Sequence, residues 1–335
     1  MRAGAVFHVA RRRVEVREID LPPPAAGEVL VRSRWSAISP GTESLVFAGD
    51  FPVDAPLDAR IAALGGGFEY PFRYGYALVG EVAAVGAGVD ATLAGRTVFA
   101  FHPHQDLAIV PVEDCVPVPA GIAPEAALFL PQVETAANLL LDGAPLVGER
   151  VLVFGQGVVG LLTAALLARF PLERLVAVEP LDWRRALAAA WGVQEAVDPG
   201  DTDAWRSLLD GMRGADLLFE LSGDMGALDR AIEAAGFGAR IVVGSWYGRR
   251  SRPIDLGGRF HRDRLRIVSS QVSTIDPRLG GRWDRKRRLA LAWRLLGTLR
   301  PEGLVSASFP LARCAEAFET ACSRRTGIMQ VVFEY

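Results

Sequence analysis

Residues 150–160, reading RVLVFGQGVVG, constrain the fold more than any other stretch of the chain. An apolar strand signal, 151–154, runs directly into three glycines, Gly155, Gly157 and Gly160, and an apolar helix opens within them. The 18 residues 151–168 carry no charge and imitate a membrane span. The glycines instead divide them into a short strand and a helix, bounded by Arg150 and Arg169. Strands and helices then alternate. Strands are predicted at 175–179, 196–197, 217–220, 240–244 and 265–269, and helices at 157–169, 183–191, 203–212 and 225–235. This order specifies an α/β fold, a doubly wound parallel sheet covered on both faces.

The first ~120 residues follow a different grammar. Segments 14–19 and 29–33 alternate apolar and polar residues, as half-buried strands do, and Pro22, Pro23, Pro24 and Gly27 separate them. Residues 79–89 read as strand and turn. Residues 48–74 read as a long irregular loop, of the kind that usually serves function. A helical pattern spans 125–141, a basic helix 284–299, and the tail 305–335 holds an amphipathic helix and a final strand at 329–333. A length of 335 residues suits two domains.

Composition excludes several classes. The formal charge is −2, which removes the main reason to expect nucleic acid or an anionic membrane as partner. Lys286 is the sole lysine and lies in the basic run 285–288, read as a solvated helix face, so Schiff-base chemistry on a buried lysine is not expected. Cys115, Cys314 and Cys322 form no CxxC and read as core fillers, which fits a reducing cytoplasm. The N-terminus has no targeting pattern, because Arg11, Arg12 and Arg13 follow too short an apolar stretch.

The glycine turn has a specific physical use. Gly155 permits the tight turn, Gly157 lets a pyrophosphate approach the backbone, and Gly160 lets helix and strand pack closely. The helix N-terminus offers free N–H groups and the positive end of its dipole to phosphates. Glu179 ends the next strand, 19 residues after Gly160, where a carboxylate accepts from an adenosine ribose diol and repels a 2′-phosphate. NAD(H) is therefore expected over NADP(H). Arg184 and Arg185 sit close behind Glu179 and leave NADP(H) possible.

These motifs, with Gly41-Thr42-Glu43, Gly75-Tyr76-Ala77, residues 219–223 (FELSG) and residues 244–248 (GSWYG), resemble the medium-chain dehydrogenase/reductase superfamily over nearly the whole chain. Within it the chain looks closest to a zinc-lacking branch resembling bacteriochlorophyllide dehydrogenases. The resemblance implies a GroES-like β-rich catalytic domain from both chain ends, 1–135 and 275–335, around a Rossmann nucleotide-binding domain, 136–274. It implies a homodimer or homotetramer paired through the last sheet strand, 265–269. It places the cofactor against Gly155, Gly157, Val158, Val159, Gly160, Glu179, Arg184, Ser222, Gly244, Ser245, Ser270, Gln271 and Thr135.

The departures from the superfamily pattern decide the chemistry expected. Zinc-dependent members present Cys-Gly-Thr-Asp, then Gly-His-Glu, then a third cysteine or glutamate. Here the ligand positions hold Pro40, Tyr76 and Ala77, with Glu134 in the third region, so no metal site of the family type is expected. Tyr76 and Thr42 become candidate hydrogen-bond donors to a substrate oxygen, with packing and turn roles as the alternatives. His104 is a candidate acid or base, with loop tethering as the alternative, and His102 shares its parity. Glu134 is a candidate catalytic carboxylate in the cleft, with a plain helix-surface carboxylate as the alternative; it and Asn138 open a helix, and His261 reads as surface.

The expected activity is an NAD(P)-dependent oxidoreductase without catalytic zinc, acting on a carbonyl/alcohol pair. The alternatives are an NADPH-dependent quinone or enone reductase and a non-catalytic nucleotide-binding protein. Phe47, Phe51, Phe68, Tyr70, Phe72 and Tyr74, in and beside the 48–74 loop, suggest an apolar or aromatic-lined substrate pocket.

Overall fold

A computed structural model describes residues 1–58, 60–323 and 325–335. Ala59, in the 48–74 loop, and Arg324, in the tail, lie outside the described residues. The chain divides into two compact units. One comprises Met1–Pro131 and Leu296–Tyr335, the other Gln132–Leu295.

The first unit starts with the antiparallel pair β1 (Arg2–Ala10) and β2 (Arg13–Asp20). It continues through β3 (Glu28–Ile38), α1 (Thr42–Ala48), β4 (Leu78–Val85), β5 (Thr97–Ala100), β6 (Leu107–Pro111), β7 (Cys115–Pro117) and α2 (Pro124–Ala127). The helix α3 (Leu130–Gly143) leads out of it.

The second unit follows as β8 (Arg150–Phe154), α4 (Val158–Leu167), β9 (Arg174–Val178), α5 (Asp182–Ala190), β10 (Glu195–Val197) and α6 (Thr202–Met212). It then runs through β11 (Ala215–Glu220), α7 (Met225–Ala234), β12 (Ala235–Val243), α8 (Arg259–Arg262) and β13 (Arg266–Ser269). The helix α9 (Arg285–Leu299) carries the chain back to the first unit, which ends with β14 (Val305–Pro310), α10 (Cys314–Cys322) and β15 (Gln330–Glu334).

The second unit's strands lie in the order β10-β9-β8-β11-β12-β13, and every neighbouring pair is parallel. Winding reverses between β8 and β11. In an open parallel sheet, ligands bind at that point, beyond the carboxyl ends of the strands. The predicted strands and helices all occur, with boundaries displaced by a residue or two except at β12, which starts at Ala235, five residues before the predicted 240. Strands buried on both faces need continuous apolar runs, and Val151, Leu152, Val153 and Phe154 are at most 1% exposed. Asp201 and Asp224 cap α6 and α7, accepting from Ala204 N and Gly226 N.

In the first unit the sheet order is β14-β15-β3-β4-β5-β7, with β6 also paired to β3. Its termini meet through the antiparallel pairing of β15 with β3. No helix among the described residues is long and apolar enough to cross a membrane.

The aromatic loop corrects one expectation. Phe51, Phe68, Phe72 and Tyr74 are buried and pack into a small core with Val46, Leu57 and Leu64, while Phe47 joins the α10 cluster. Phe51 stacks on Phe68 at 4.2 Å between ring centroids. A long loop without strands of its own needs a local core, so these rings fill the loop instead of lining a substrate pocket. Tyr70 is the exposed member of the set, at 37%.

Candidate active site

In the second unit, the β8–α4 turn has the shape a dinucleotide requires. Gly155 has φ +85°, and a Cβ there would lie 2.5 Å from the Ser222 Cα. A Cβ on Gly160 would lie 1.9 Å from the Gly155 carbonyl oxygen, so helix and turn pack without a side chain between them. A Cβ on Gly157 would meet nothing within 4 Å, so that face of the turn is open for a phosphate. Gly157 is the N-cap of α4, and Val158 and Val159 form its first turn, where backbone N–H groups point outward. The residues present fit a dinucleotide.

Glu179 follows β9 and is 3% exposed. Its carboxylate accepts from Gln156 N at 2.7 Å and Leu181 N at 3.0 Å, which fixes it beside the glycine turn with lone pairs to spare. Arg185 is occupied elsewhere. It donates to the Glu179 and Pro180 carbonyls, both at 2.8 Å, and lies 3.5 Å from Asp198. The Arg184 guanidinium lies 5.1 Å from the Trp183 ring centroid.

Beyond β11 and β12, Glu220 joins the loops. It accepts from Ser222 N at 2.8 Å and from the Tyr247 hydroxyl at 2.5 Å, and burial, then the charge of Glu220, push that phenol upward. Ser245 Oγ accepts from Gly223 N at 3.0 Å. A Cβ on Gly244 would collide with the Leu221 and Leu139 side chains. Sequence reasoning missed Glu220 and Tyr247 as a pair.

Glu134 is not an open carboxylate. Its side chain, 5% exposed, forms a 3.0 Å ion pair with Arg288, 2% exposed. Arg288 also donates to Asn138 Oδ1 at 2.6 Å, to the Thr274 carbonyl at 3.0 Å and to the Val272 carbonyl. Arg285, Lys286 and Arg287 are exposed, whereas Arg288 is buried, so the solvated-face reading fails for the last residue of the run. A buried guanidinium must be paired and hydrogen-bonded, and α3 supplies both partners. Ser270 donates to Asp142 Oδ2 at 2.6 Å and accepts from Asn138 at 3.2 Å, which ties the segment after β13 to the same helix. Gln271 bonds Ser273, and Thr135 is half-buried on α3.

The first unit contains the other candidates. Tyr76 is half-buried, and the Ser39 and Thr42 side chains are near enough to its phenol to favour the ionised form. Burial, then the Glu43 charge, push the phenol up to about 12, so it is protonated at neutral pH.

Behind it lies a buried polar chain that the sequence did not disclose. The Glu43 and His104 side chains are both 0% exposed, and His104 Nε2 lies 2.8 Å from Glu43 Oε2. His104 Nδ1 lies 2.7 Å from Ser36 Oγ, which lies 2.7 Å from the Tyr335 hydroxyl. Glu43 Oε1 accepts from Ser39 N at 2.8 Å. His102 stands apart, with Nδ1 3.0 Å from the Pro103 carbonyl. His261 is exposed, and burial raises all three thiols, Cys115 to about 11.

Residues 158–281 match the family model described as zinc-binding dehydrogenase. Over 309 residues, 88% of each chain, the sequence is 26% identical to the D-guloside 3-dehydrogenase of Escherichia coli K12. The chain is similar to the zinc-binding dehydrogenases of the medium-chain dehydrogenase/reductase superfamily. Its fold matches that of an Escherichia coli CFT073 alcohol dehydrogenase complexed with NADH, with a TM-score of 0.80, 20% identity and coverage of 100% and 99%. A Sinorhizobium meliloti 1021 protein bound to NADP matches with a TM-score of 0.78, 19% identity and full coverage of both chains.

The superfamily's zinc does not fit the residues this chain presents. Pro40 and Ala77 have no side-chain donor atoms, and burial and the Glu43 charge keep the Tyr76 phenol protonated. Glu134, the third-region residue, is committed to Arg288. Among the described residues, no three His, Cys, Asp or Glu side chains converge as a metal site.

Proposed function

We propose that this dehydrogenase works without zinc and uses NAD(H) to interconvert a secondary alcohol and its ketone. The observation that carries the reading is the Tyr76 phenol at a zinc-ligand position, which burial and the Glu43 charge keep protonated beside Ser39 and Thr42. When bound, the nicotinamide supplies or accepts the hydride. Negative charge then develops on the carbonyl oxygen, and a preorganised donor there is worth a hundredfold to a thousandfold in turnover, about 2.7–4 kcal/mol. Tyr76 donates its proton to that oxygen. The Ser39 and Thr42 hydroxyls hold the charge left on the phenolic oxygen, and the Thr42 proton can follow.

Gly157 and the first turn of α4 would hold the pyrophosphate, and Glu179 the adenosine ribose. The carboxylate favours NAD(H) over NADP(H). The similarity to a guloside dehydrogenase supports a polyhydroxylated substrate. Two chains would pair along β13, an edge strand whose Ile267 is 36% exposed.

NADH fluorescence titration, followed by NAD⁺ reduction with alkyl hexosides and straight-chain polyols, tests the activity. Binding with turnover is expected. Binding without turnover on any secondary alcohol would make the chain a nucleotide-binding protein that lacks the chemistry.

A further inference from the structure

We propose that the buried His104–Glu43 pair is a positioning device for Tyr76 and Thr42, a fixed clamp made of side chains. The inference deepens the reading of Tyr76 as donor and rests on it.

The clamp grips the site from two sides. On one side, Glu43 lies in the first turn of α1 beside Thr42, and its Oε1 accepts from the backbone N–H of Ser39, so it holds both hydroxyl residues that act on the phenol. On the other side, the His104 ring lies against the backbone at Gly75, the residue before Tyr76. Gly75 has φ +121°, and a Cβ there would stand 2.8 Å from His104 Nε2 and 2.9 Å from Cδ2. Only glycine permits this contact and this backbone. The 2.8 Å bond between His104 Nε2 and Glu43 Oε2 closes the loop.

A carboxylate only accepts, so His104 carries a proton on Nε2. His104 Nδ1 lies 2.7 Å from Ser36 Oγ, and Ser36 Oγ lies 2.7 Å from the Tyr335 hydroxyl. A buried hydrogen-bonded line of this kind rigidifies the backbone it joins. Exposure of 0% for both side chains denies the pair contact with substrate, so its role is to hold and not to react.

The test separates the two ends of the imidazole. In His104→Gln the amide keeps a donor near the Nε2 position and the bond to Glu43. In His104→Asn the amide reaches the Nδ1 position only and keeps Ser36. The clamp predicts that His104→Gln stays within about tenfold of wild-type kcat. His104→Asn falls roughly a hundredfold to a thousandfold, as far as Tyr76→Phe, with KM for NAD⁺ unchanged in both. Nitrogen-15 NMR of the histidine-labelled full chain, which has four histidines, supplies a readout that does not need activity. The His104 Nε2–H resonance should be present in wild type and in Tyr76→Phe, and lost or shifted in Glu43→Gln. Equal loss in both His104 variants, or a bare Nε2 in wild type, overturns the clamp while Tyr76→Phe still reports on the donor. Normal turnover in Tyr76→Phe overturns the donor reading and with it the purpose of the clamp.

Discussion

Lowering the pH should unfold this protein through His8, and a single substitution isolates the effect. His8 lies on β1, 1% exposed, stacked on Phe72 at 5.2 Å and edge-on to Phe318 at 5.2 Å. Neither ring nitrogen has a hydrogen-bond partner among the described residues. Burial, with His104 nearby, lowers its pKa from 6.5 to about 3. In the unfolded chain the imidazole takes a proton near pH 6.5, whereas in the folded chain it stays neutral down to about 3. Below pH 6.5 the unfolded state therefore binds more protons, and stability falls as pH falls. The contribution is fully present above pH 6.5 and is lost towards pH 3, at about 1.4 kcal/mol per pH unit. Between pH 6.5 and 4.5 that amounts to about 2.7 kcal/mol, a large fraction of a typical total of about 5–15 kcal/mol.

His8→Phe keeps an aromatic ring between Phe72 and Phe318 and removes the titration. Chemical denaturation at pH 7.5, 6.5, 5.5 and 4.5 should find the variant within about 1 kcal/mol of wild type at the top of the range. At the bottom it should be more stable by about 2.7 kcal/mol. A difference that stays constant with pH would refute the reasoning. His102, lowered to about 4 chiefly by burial, adds a second loss of the same sign in both proteins and cancels in the comparison.

Three further outcomes follow from named contacts. Glu179 should make NADH bind roughly tenfold to a hundredfold more tightly than NADPH, about 1–3 kcal/mol, by fluorescence titration; equal affinities would show that Arg184 decides the preference. Glu134→Ala should cost about 3–5 kcal/mol in stability by leaving Arg288 buried and unpaired; an unchanged melting temperature with lost turnover would return Glu134 to the catalytic candidates. Gly160→Ala should weaken NADH binding at least tenfold, because its Cβ would stand 1.9 Å from the Gly155 carbonyl oxygen.

The second unit was legible because its information is local. Each parallel strand is a short apolar run, each turn has its glycine or capping aspartate, and Gly155, Gly157, Gly160 and Glu179 fall within one β-α-β segment. The first unit's site was only partly legible, because it is assembled from distant residues. Glu43 and His104 are 61 residues apart, and Ser36 and Tyr335 are 299 apart. Glu43 stood in a motif, but nothing nearby identified its partner. The basic run misled for a physical reason. Three of its residues are exposed and the fourth is not, and the helical turn that separates them is visible only once α3 supplies Glu134 and Asn138. The aromatic residues of the 48–74 loop misled because a loop core and a pocket lining have the same composition.

Catalysis by Tyr76 in the absence of zinc is the central claim. The turnover number of the wild-type chain after chelator treatment, with metal content checked by elemental analysis, tests it most directly. The account predicts that alcohol-dependent NAD⁺ reduction is unchanged by chelation. Loss of turnover on chelation, with recovery on addition of one zinc per chain, would contradict it.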